Sequence, residues 1–537
     1  MSNKKTKNDP SSLSYTEITR LIEEHGSERA AARSLGIAKS TFQDRHNAAR
    51  MEVFLERKLL NPVNLPRKGK VTRAIFTSAQ DETKVFEPFF DNLLAYADYL
   101  DASIHISGFT YNKKLFEDHS KYAGWYDPLV EPFLTQDRLN FGDKLVFCGE
   151  MNTLPTAVRP LSGLERYTGD KWGIFPHPKY QLLSLATQKF QDPKVIMTTG
   201  AVTKPNYVAK KAGLKAEFDH IYGAILVELD HDGTMFIRHL HGSSKDGTFN
   251  DLDVRVKNGR LKFGERVEAI NWPDIHAEKM EYESANVCWG MWDDKYHRVD
   301  DPIVEVLHPK HQIFHDAGDF TGRNHHGIND PHFLYEMYIN GMESVEGNLQ
   351  TTADFLRLTE RKFSQSVIVE SNHDLHFGVW LKTADYRRDP VNAEFFLKSQ
   401  ARVYQSIRER DKEFSIFRHT LEQMQPSLQR YDWVGEDESY KLCDTGDGGI
   451  EFGMHGHLGA NGSQGSPMQF TKFGPRINIG HGHSGMASDG MMRAGIFQLD
   501  LDYNRGPSSW NRALIATHTS GKRQLVFING NQFRSIY

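Results

Sequence analysis

Five short clusters in the second half of the chain carry the residue types that hold divalent metal ions. They are Asp274-Ile275-His276, His315-Asp316-Ala317-Gly318-Asp319, Asn372-His373-Asp374, Met454-His455-Gly456-His457 and Gly480-His481-Gly482-His483. Two cations held about 4 Å apart can generate a hydroxide and clamp a phosphoryl group, and such a site needs one carboxylate in common plus a mix of Asp, Asn and His. Each cluster is weak alone. An Asp-x-His arises by chance in many chains, and a Gly-His-x-His is more often a loop than a ligand. All five in this order are a specific signal. Two positions carry alternatives. Asp316 directly follows an apolar run and stands in an Asp-x-x-Asp with Asp319, but Gly318-Asp319 offers a second reading. His455 is the first histidine after its apolar stretch, with His457 as the other choice.

Such residues must be delivered to one place, and the pattern shows how. Arg266–Ile270, His311–Phe314, Val367–Glu370 and Ile477–Ile479 read as strands, and each is followed at once by one of the clusters. In open α/β sheets the edge past the strand C-termini is where ligands bind.

The order Asp-x-His, Gly-Asp-x-x-Asp, Gly-Asn-His-Asp, a single His and Gly-His-x-His resembles the calcineurin-like metallophosphoesterase superfamily. His315 and Ser371 stand where that pattern has glycine; neither change removes a ligand. The resemblance implies that Asp274, His276, Asp316 and His483 hold one ion. Asp316, Asn372, His455 and His481 would hold the other, with Asp316 as the bridge. His373 would meet the substrate phosphate, stabilising charge or protonating the leaving oxygen, and Asp374 would orient it. Mixed N and O donors put Mn2+ first, with Fe, Zn2+ or Mg2+ as alternatives.

Other clusters are open to two readings. Arg323-Asn324-His325-His326 could contact substrate phosphate or cap a helix beginning near Asp330. His239 and His241, alternating on one strand, read as a surface pair. The glycine-rich stretch from Gly456 to Gly465 lacks a P-loop Lys-Ser/Thr and reads as a loop near the metals.

At the N-terminus, Ser27 to Phe42 has the shape of a helix-turn-helix of the transcription-factor or resolvase kind. Ser27 can cap a helix, Gly36 can make the turn, and Leu35, Ile37 and Phe42 can pack the pair. The next helix, ending about Arg50, offers Lys39, Ser40, Thr41, Gln43, Arg45 and His46 to bases and phosphates. A helical hairpin for protein contacts is the alternative. The first 70 residues hold 14 Lys and Arg against 8 Asp and Glu, an excess of about +6 in a chain of net charge −5. That asymmetry favours nucleic acid at this end.

Four segments follow in an α/β protein. Residues 1–60 form the all-α helix-turn-helix unit, behind a disordered tail of 1–13. Residues 61–70 are a linker, and 71–262 are a central α/β domain without chemistry-bearing motifs. Residues 263–537 are a metallophosphoesterase β-sandwich flanked by helices. The composition, 39% hydrophobic and 25% charged, is that of a globular chain, with no run of apolar residues long enough for a membrane span. Three distant cysteines form no disulfide framework and point to a reducing cytoplasm. The expected function is a metal-dependent DNase with DNA as partner. The pairing of units and the phrase His455-Gly-His-Leu-Gly-Ala-Asn-Gly are similar to phage metallophosphoesterases, including early nucleases that degrade host DNA, which would place it in the host cytoplasm. A phosphomonoesterase or nucleotide phosphodiesterase is the runner-up, and a DNA-binding regulator with a vestigial centre the third class. Oligomeric state is open, a homo-oligomer included.

Overall fold

The computed structural model describes residues 10–60, 70–111, 125–189, 191–291, 299–324, 327–444 and 448–535, with backbone alone for 54–60. The expected linker, apart from Lys70, and residues 1–9 of the expected tail lie outside these; Pro10–Ser12 forms a 3-10 turn.

Three helices come first: α1 (Tyr15–His25), α2 (Glu28–Ser34) and α3 (Lys39–Leu60). Ser14 and Glu17 cap α1 reciprocally, and Ser27 accepts the Ala30 N–H at the start of α2, as its sequence position predicts. Gly36, at a φ of 70°, makes the turn into α3. Small Ala31 and Ala32 let the helices close over Ile18, Phe42 and Ala49. Helix α3 runs past its expected end near Arg50. That residue is buried, and its guanidinium meets Asp91 in the next unit.

The central segment begins with β1 (Thr72–Gln80), α4 (Glu87–Leu100) and β2 (Ser103–Phe109), two parallel strands joined by a helix. Then come β3 (Arg138–Phe141), β4 (Leu145–Cys148), β5 (Trp172–Phe175), β6 (Gln181–Leu185) and β7 (Lys194–Thr198). Helix α5 (Lys211–Asp219) precedes β8 (Gly223–Leu229), β9 (Met235–His241), β10 (Phe249–Asp251), β11 (Val254–Lys257) and β12 (Arg260–Lys262). The second half continues with β13 (Val267–Asn271), α6 (Tyr282–Trp289), α7 (Ile303–Leu307), β14 (His311–Phe314), α8 (Pro331–Ile339), α9 (Val345–Thr359) and β15 (Gln365–Val369). Helices α10 (His376–Thr383), α11 (Ala393–Glu409) and α12 (Ile416–Met424) lead to β16 (Asp432–Val434), β17 (Lys441–Leu442) and β18 (Ile450–Glu451). A short α13 (Pro467–Phe470) is followed by β19 (Arg476–Ile479), β20 (Met486–Ser488), β21 (Met491–Arg493), β22 (Ala513–His518) and β23 (Arg523–Phe527).

These strands make four sheets, ordered β2-β1-β8-β9, β10-β11-β12, β16-β15-β14-β13-β22-β23 and β17-β18-β19-β21-β20-β6-β7-β5-β4-β3. The last sheet crosses the border expected at 262/263. β6 pairs with β20 through Leu182 opposite Ala487 and Gln181 opposite Ser488. The central segment therefore makes two sheets of its own and also supplies half of a sheet shared with the second half of the chain. Pairing between strands so distant in the chain leaves no local pattern to read.

One core lies between the six-stranded sheet and its helices, built on Trp272, Trp289, Phe314, Leu349, Phe377 and Leu421. Another lies where the four-stranded sheet meets the other two large sheets, through Phe76, Phe147, Ile225, Met492, Ile515 and Phe527. That packing corrects the expectation for His239 and His241. All seven residues of β9 are buried, because β9 is covered on both faces. The His239 ring meets the Thr198 carbonyl at 2.8 Å, and Tyr180 packs edge-on against both histidines. Alternation along the strand did not mark a solvent face here.

Candidate metal centre

The apolar runs of β13, β14 and β15 are parallel neighbours in the six-stranded sheet, and β19 ends beside them from the ten-stranded sheet. Past their ends the loops run alongside one another. Ile275, His276 and Ala277 donate their N–H groups to the carbonyls of His315, Asp316 and Ala317 at 2.8–3.1 Å. The Asp316 N–H donates to Ser371 Oγ at 2.8 Å, and that hydroxyl donates to the Val369 carbonyl. The serine that departs from the family pattern thus fastens the candidate bridging residue to the next strand. Gly480 is held by the His455 carbonyl, and a Cβ there would lie 2.3 Å from Asp274 Oδ1. Only glycine lets that loop approach the carboxylate.

His276, Asp316, His481 and His483 all have φ between 43° and 65°. For residues with a Cβ this left-handed region costs about 1 kcal/mol each. Four of the seven ligands implied by sequence carry that strain, and such clustering is a mark of functional sites.

The side chains converge. Asp274, Asp316 and His483 offer ligand atoms within 4.8 Å of one another, and so do His276, Asp316 and His373. His455 Nε2 lies 3.2 Å from Asp316 Oδ2 and 3.0 Å from Asn372 Oδ1, and His481 Nδ1 lies 3.2 Å from the same amide oxygen. Asp316 is the group common to these sets, as a bridge must be. His455, not His457, faces inward; His457 is taken by Glu436 at 2.7 Å.

The donor set fits cations. Asp274 Oδ1 and Oδ2 and His276 Nε2 are buried with no hydrogen-bond partner, and both Asp274 and Asp316 are fully buried. An unpaired carboxylate in such a place costs of the order of several kcal/mol. Burial and the neighbouring Asp316 hold the Asp274 carboxyl well above the usual carboxylate range. Burial acts the same way on Asp316, but His455 and His373 overcome it and hold that carboxyl low. Burial keeps the His455, His481 and His483 rings in the neutral form that binds metal.

Asp319, not Asp374, orients His373. Asp319 Oδ1 takes His276 Nδ1 at 2.9 Å and lies 3.3 Å from His373 Nδ1. It fixes both rings from behind, as carboxylates behind metal-binding histidines do. Asp374 does not orient His373. Its Oδ1 accepts the Gly318 N–H at 3.2 Å, because the chain turns into α10 and carries that carboxyl under the Asp316 loop. Asp319 is in turn held by Thr321 Oγ1, while Glu278 takes the Asp319 and Phe320 N–H groups. Burial and Asp319 push the Glu278 carboxyl up to about 7. Burial would lower the His373 pKa, but Asp316 and Asp319 raise it to about 10.

Arg323 is not free for substrate. It forms a two-pronged pair with Asp389 at 2.7 and 3.0 Å, and Asp330 itself caps α8. His325 and His326 lie outside the described residues. The stretch from Gly456 to Gly465 is a loop beside the centre, closed by Gly465 N–H on the His457 carbonyl. Sequence reasoning missed Tyr503 and Trp510, whose rings lie 6.2 and 4.3 Å from that of His483; no motif marks them. It missed Arg493 too, packed under Gly482 where a Cβ would be 2.1 Å from its guanidinium.

In the N-terminal unit, Lys39, Ser40 and Thr41 are exposed, as are Arg29 and Arg33. Gln43 and His46 are instead held by Glu28 at 2.9 and 2.8 Å. Arg45 binds the Leu13 carbonyl and Glu52. These three face the bundle because α3 turns that side toward α1 and α2.

The chain is 36% identical over 477 residues to Protein A1 of Escherichia phage T5, an alignment covering 87% of this chain and 83% of that protein. It belongs to the family of that phage protein. No protein-family model and no solved structure matches it.

Proposed function

We propose that this protein is a two-metal phosphodiesterase of the calcineurin-like type that cleaves DNA in the cytoplasm of a phage-infected host. The observation that carries the reading is the set of buried ligand atoms on Asp274 and His276 without hydrogen-bond partners, gathered beside Asp316 at the ends of β13 and β14. Asp274, His276, Asp316 and His483 would hold one ion, and Asp316, Asn372, His455 and His481 the other. Bound ions of this kind supply Lewis acidity and a nucleophile drawn from water. His373, fixed through Nδ1 by Asp319, would present Nε2 to the phosphate and give its proton to the leaving oxygen.

DNA as substrate is supported by the helical unit. Its exposed Lys39, Ser40 and Thr41 with Arg29 and Arg33 would meet backbone phosphates, while Gln43, Arg45 and His46 serve the bundle. The relation to a phage protein agrees with this reading.

The test is to incubate purified protein and Mn2+ with plasmid, linear DNA and a chromogenic phosphodiester. Cleavage of DNA is expected, with EDTA abolishing it. Turnover of the chromogenic ester alone would move the assignment to a small-substrate phosphodiesterase, and no turnover at all would overturn it.

A further inference from the structure

Tyr503 combines two properties that seldom occur together. It is 49% exposed, yet its ring lies 6.2 Å from the ring of His373 and 6.2 Å from that of His483. It stands at the rim of the candidate centre and faces solvent. Trp510 closes the corner behind it, 5.6 Å away at an interplanar angle of 67°, and itself packs edge-on against His483 at 4.3 Å.

The loop that carries Tyr503 is built to hold it still. Leu501 is fully buried. Asn504 donates its backbone N–H to the Leu501 carbonyl and its side-chain amide to the Leu499 carbonyl at 2.8 Å each. On the far side, Asn511 donates its N–H to the His483 carbonyl at 3.2 Å and accepts the Gly485 N–H at 2.8 Å. The aromatic corner is thus tied to the loop that bears two of the candidate ligands.

The surrounding charge decides what such a corner can bind. Lys279 and Lys189 are both paired, with Asp502 at 3.0 Å and Asp500 at 2.8 Å. Neither lysine is free for phosphate, so what this rim offers beside the centre is the flat face of Tyr503. An exposed tyrosine face beside a phosphoryl-transfer centre is suited to a nucleobase, whose π-surface stacks whatever its identity.

We propose that Tyr503, backed by Trp510, is a stacking platform for the nucleobase next to the scissile phosphate. The inference rests on the DNase reading above and makes it more specific. A base can reach this face only when it is out of a duplex stack. The preferred substrate is then single-stranded DNA, or duplex opened at a nick, gap or frayed end.

The experiment compares a short single-stranded oligonucleotide with the same strand carrying one tetrahydrofuran abasic unit, moved in turn to each side of the cleaved bond. Affinity is measured in Ca2+ and cleavage in Mn2+. Wild-type protein should favour the intact strand when the abasic unit sits on one particular side, by roughly 5- to 150-fold, the range base–aromatic stacking supplies. In Tyr503→Ala that ratio should collapse toward one, and in Tyr503→Phe it should persist. A wild-type ratio of one at every position overturns the proposal, as does a ratio unchanged in Tyr503→Ala. Loss of the ratio in Tyr503→Phe would assign the hydroxyl, not the ring, and also overturns it. Absence of cleavage with the affinity ratio intact would instead count against the nuclease reading and leave the platform standing.

Discussion

Two places in this molecule bury charge, and they do so in opposite ways. Between β8, β9 and β10, the Arg238 guanidinium sits between Asp251, at 2.6 and 2.9 Å, and Glu228, at 2.8 Å. Arg73, Tyr96, Gln524 and Ser535 take up the remaining carboxylate valences. Two guanidinium groups face two carboxylates, so the charges of this cluster are paired within the chain. At the candidate centre Asp274 and Asp316 are equally buried, but their nearest neighbours are imidazoles, three of which burial keeps neutral. There Asp274 keeps both carboxylate oxygens, and His276 its Nε2, without a hydrogen-bond partner. Burial alone therefore does not mark a site; burial with ligand atoms left unpartnered does.

That contrast can be broken most severely at the shared carboxylate. Asp316→Ala should abolish phosphodiester cleavage and lower the bound metal, while the folded structure persists. Elemental analysis that returns full metal with a near wild-type rate would remove Asp316 from the centre. His373→Ala should retain metal and slow cleavage by roughly 10²–10⁴-fold, the range for losing a general acid. Metal loss in this variant would make His373 a ligand, as its closeness to His276 and Asp316 allows.

On the other side of the comparison, Arg238→Met should destabilise the protein by about 3–5 kcal/mol, since it strands two buried carboxylates. Metal content of the folded fraction should not change. Chemical denaturation showing a loss under about 1 kcal/mol, the value of an exposed pair, would deny that this cluster is a closed structural unit.

A smaller effect separates the core histidines from both clusters. Burial pushes His177, His220, His239 and His518 down to about 4. The unfolded chain takes up their protons near 6.5, and the folded chain does so only near 4. Unfolding in that window therefore takes up protons, and stability falls as pH drops from about 6.5 toward 4. Melting temperature in EDTA should decline across this interval and be flat above it with respect to these groups. A flat profile from pH 6.5 to 4 would contradict their burial as neutral rings.

Much of the site could be read from the chain because its information is local. A strand followed at once by ligand-type residues is a contiguous pattern, and His311–Phe314 and the run before Asn372 fall where expected. What required the fold depends on contacts between distant segments. His455 and His457 are chemically equivalent in sequence, and only the position of Glu436 separates them. Asp374 directly follows His373 in sequence and Asp319 lies 54 residues before it, yet the direction of the Asp316 loop and α10 brings Asp319 to that ring. His239 and His241 alternate as a surface pair would, yet β9 is packed on both sides. The shared sheet through β6 and β20, and the aromatic corner of Tyr503 and Trp510, have no local signature.

The central claim is that the buried carboxylates of the centre await cations. It is tested most directly by thermal unfolding of wild type and Asp274→Asn, each in EDTA and in Mn2+, alongside the metal content of each. Without metal, Asp274→Asn should be at least as stable as wild type, because the carboxyl it replaces is already held in the neutral form by burial and by Asp316. With Mn2+, wild type should gain several degrees and retain two ions per chain, while Asp274→Asn should gain little. Equal responses of the two proteins to Mn2+, or a metal-free Asp274→Asn clearly less stable than wild type, would contradict the account.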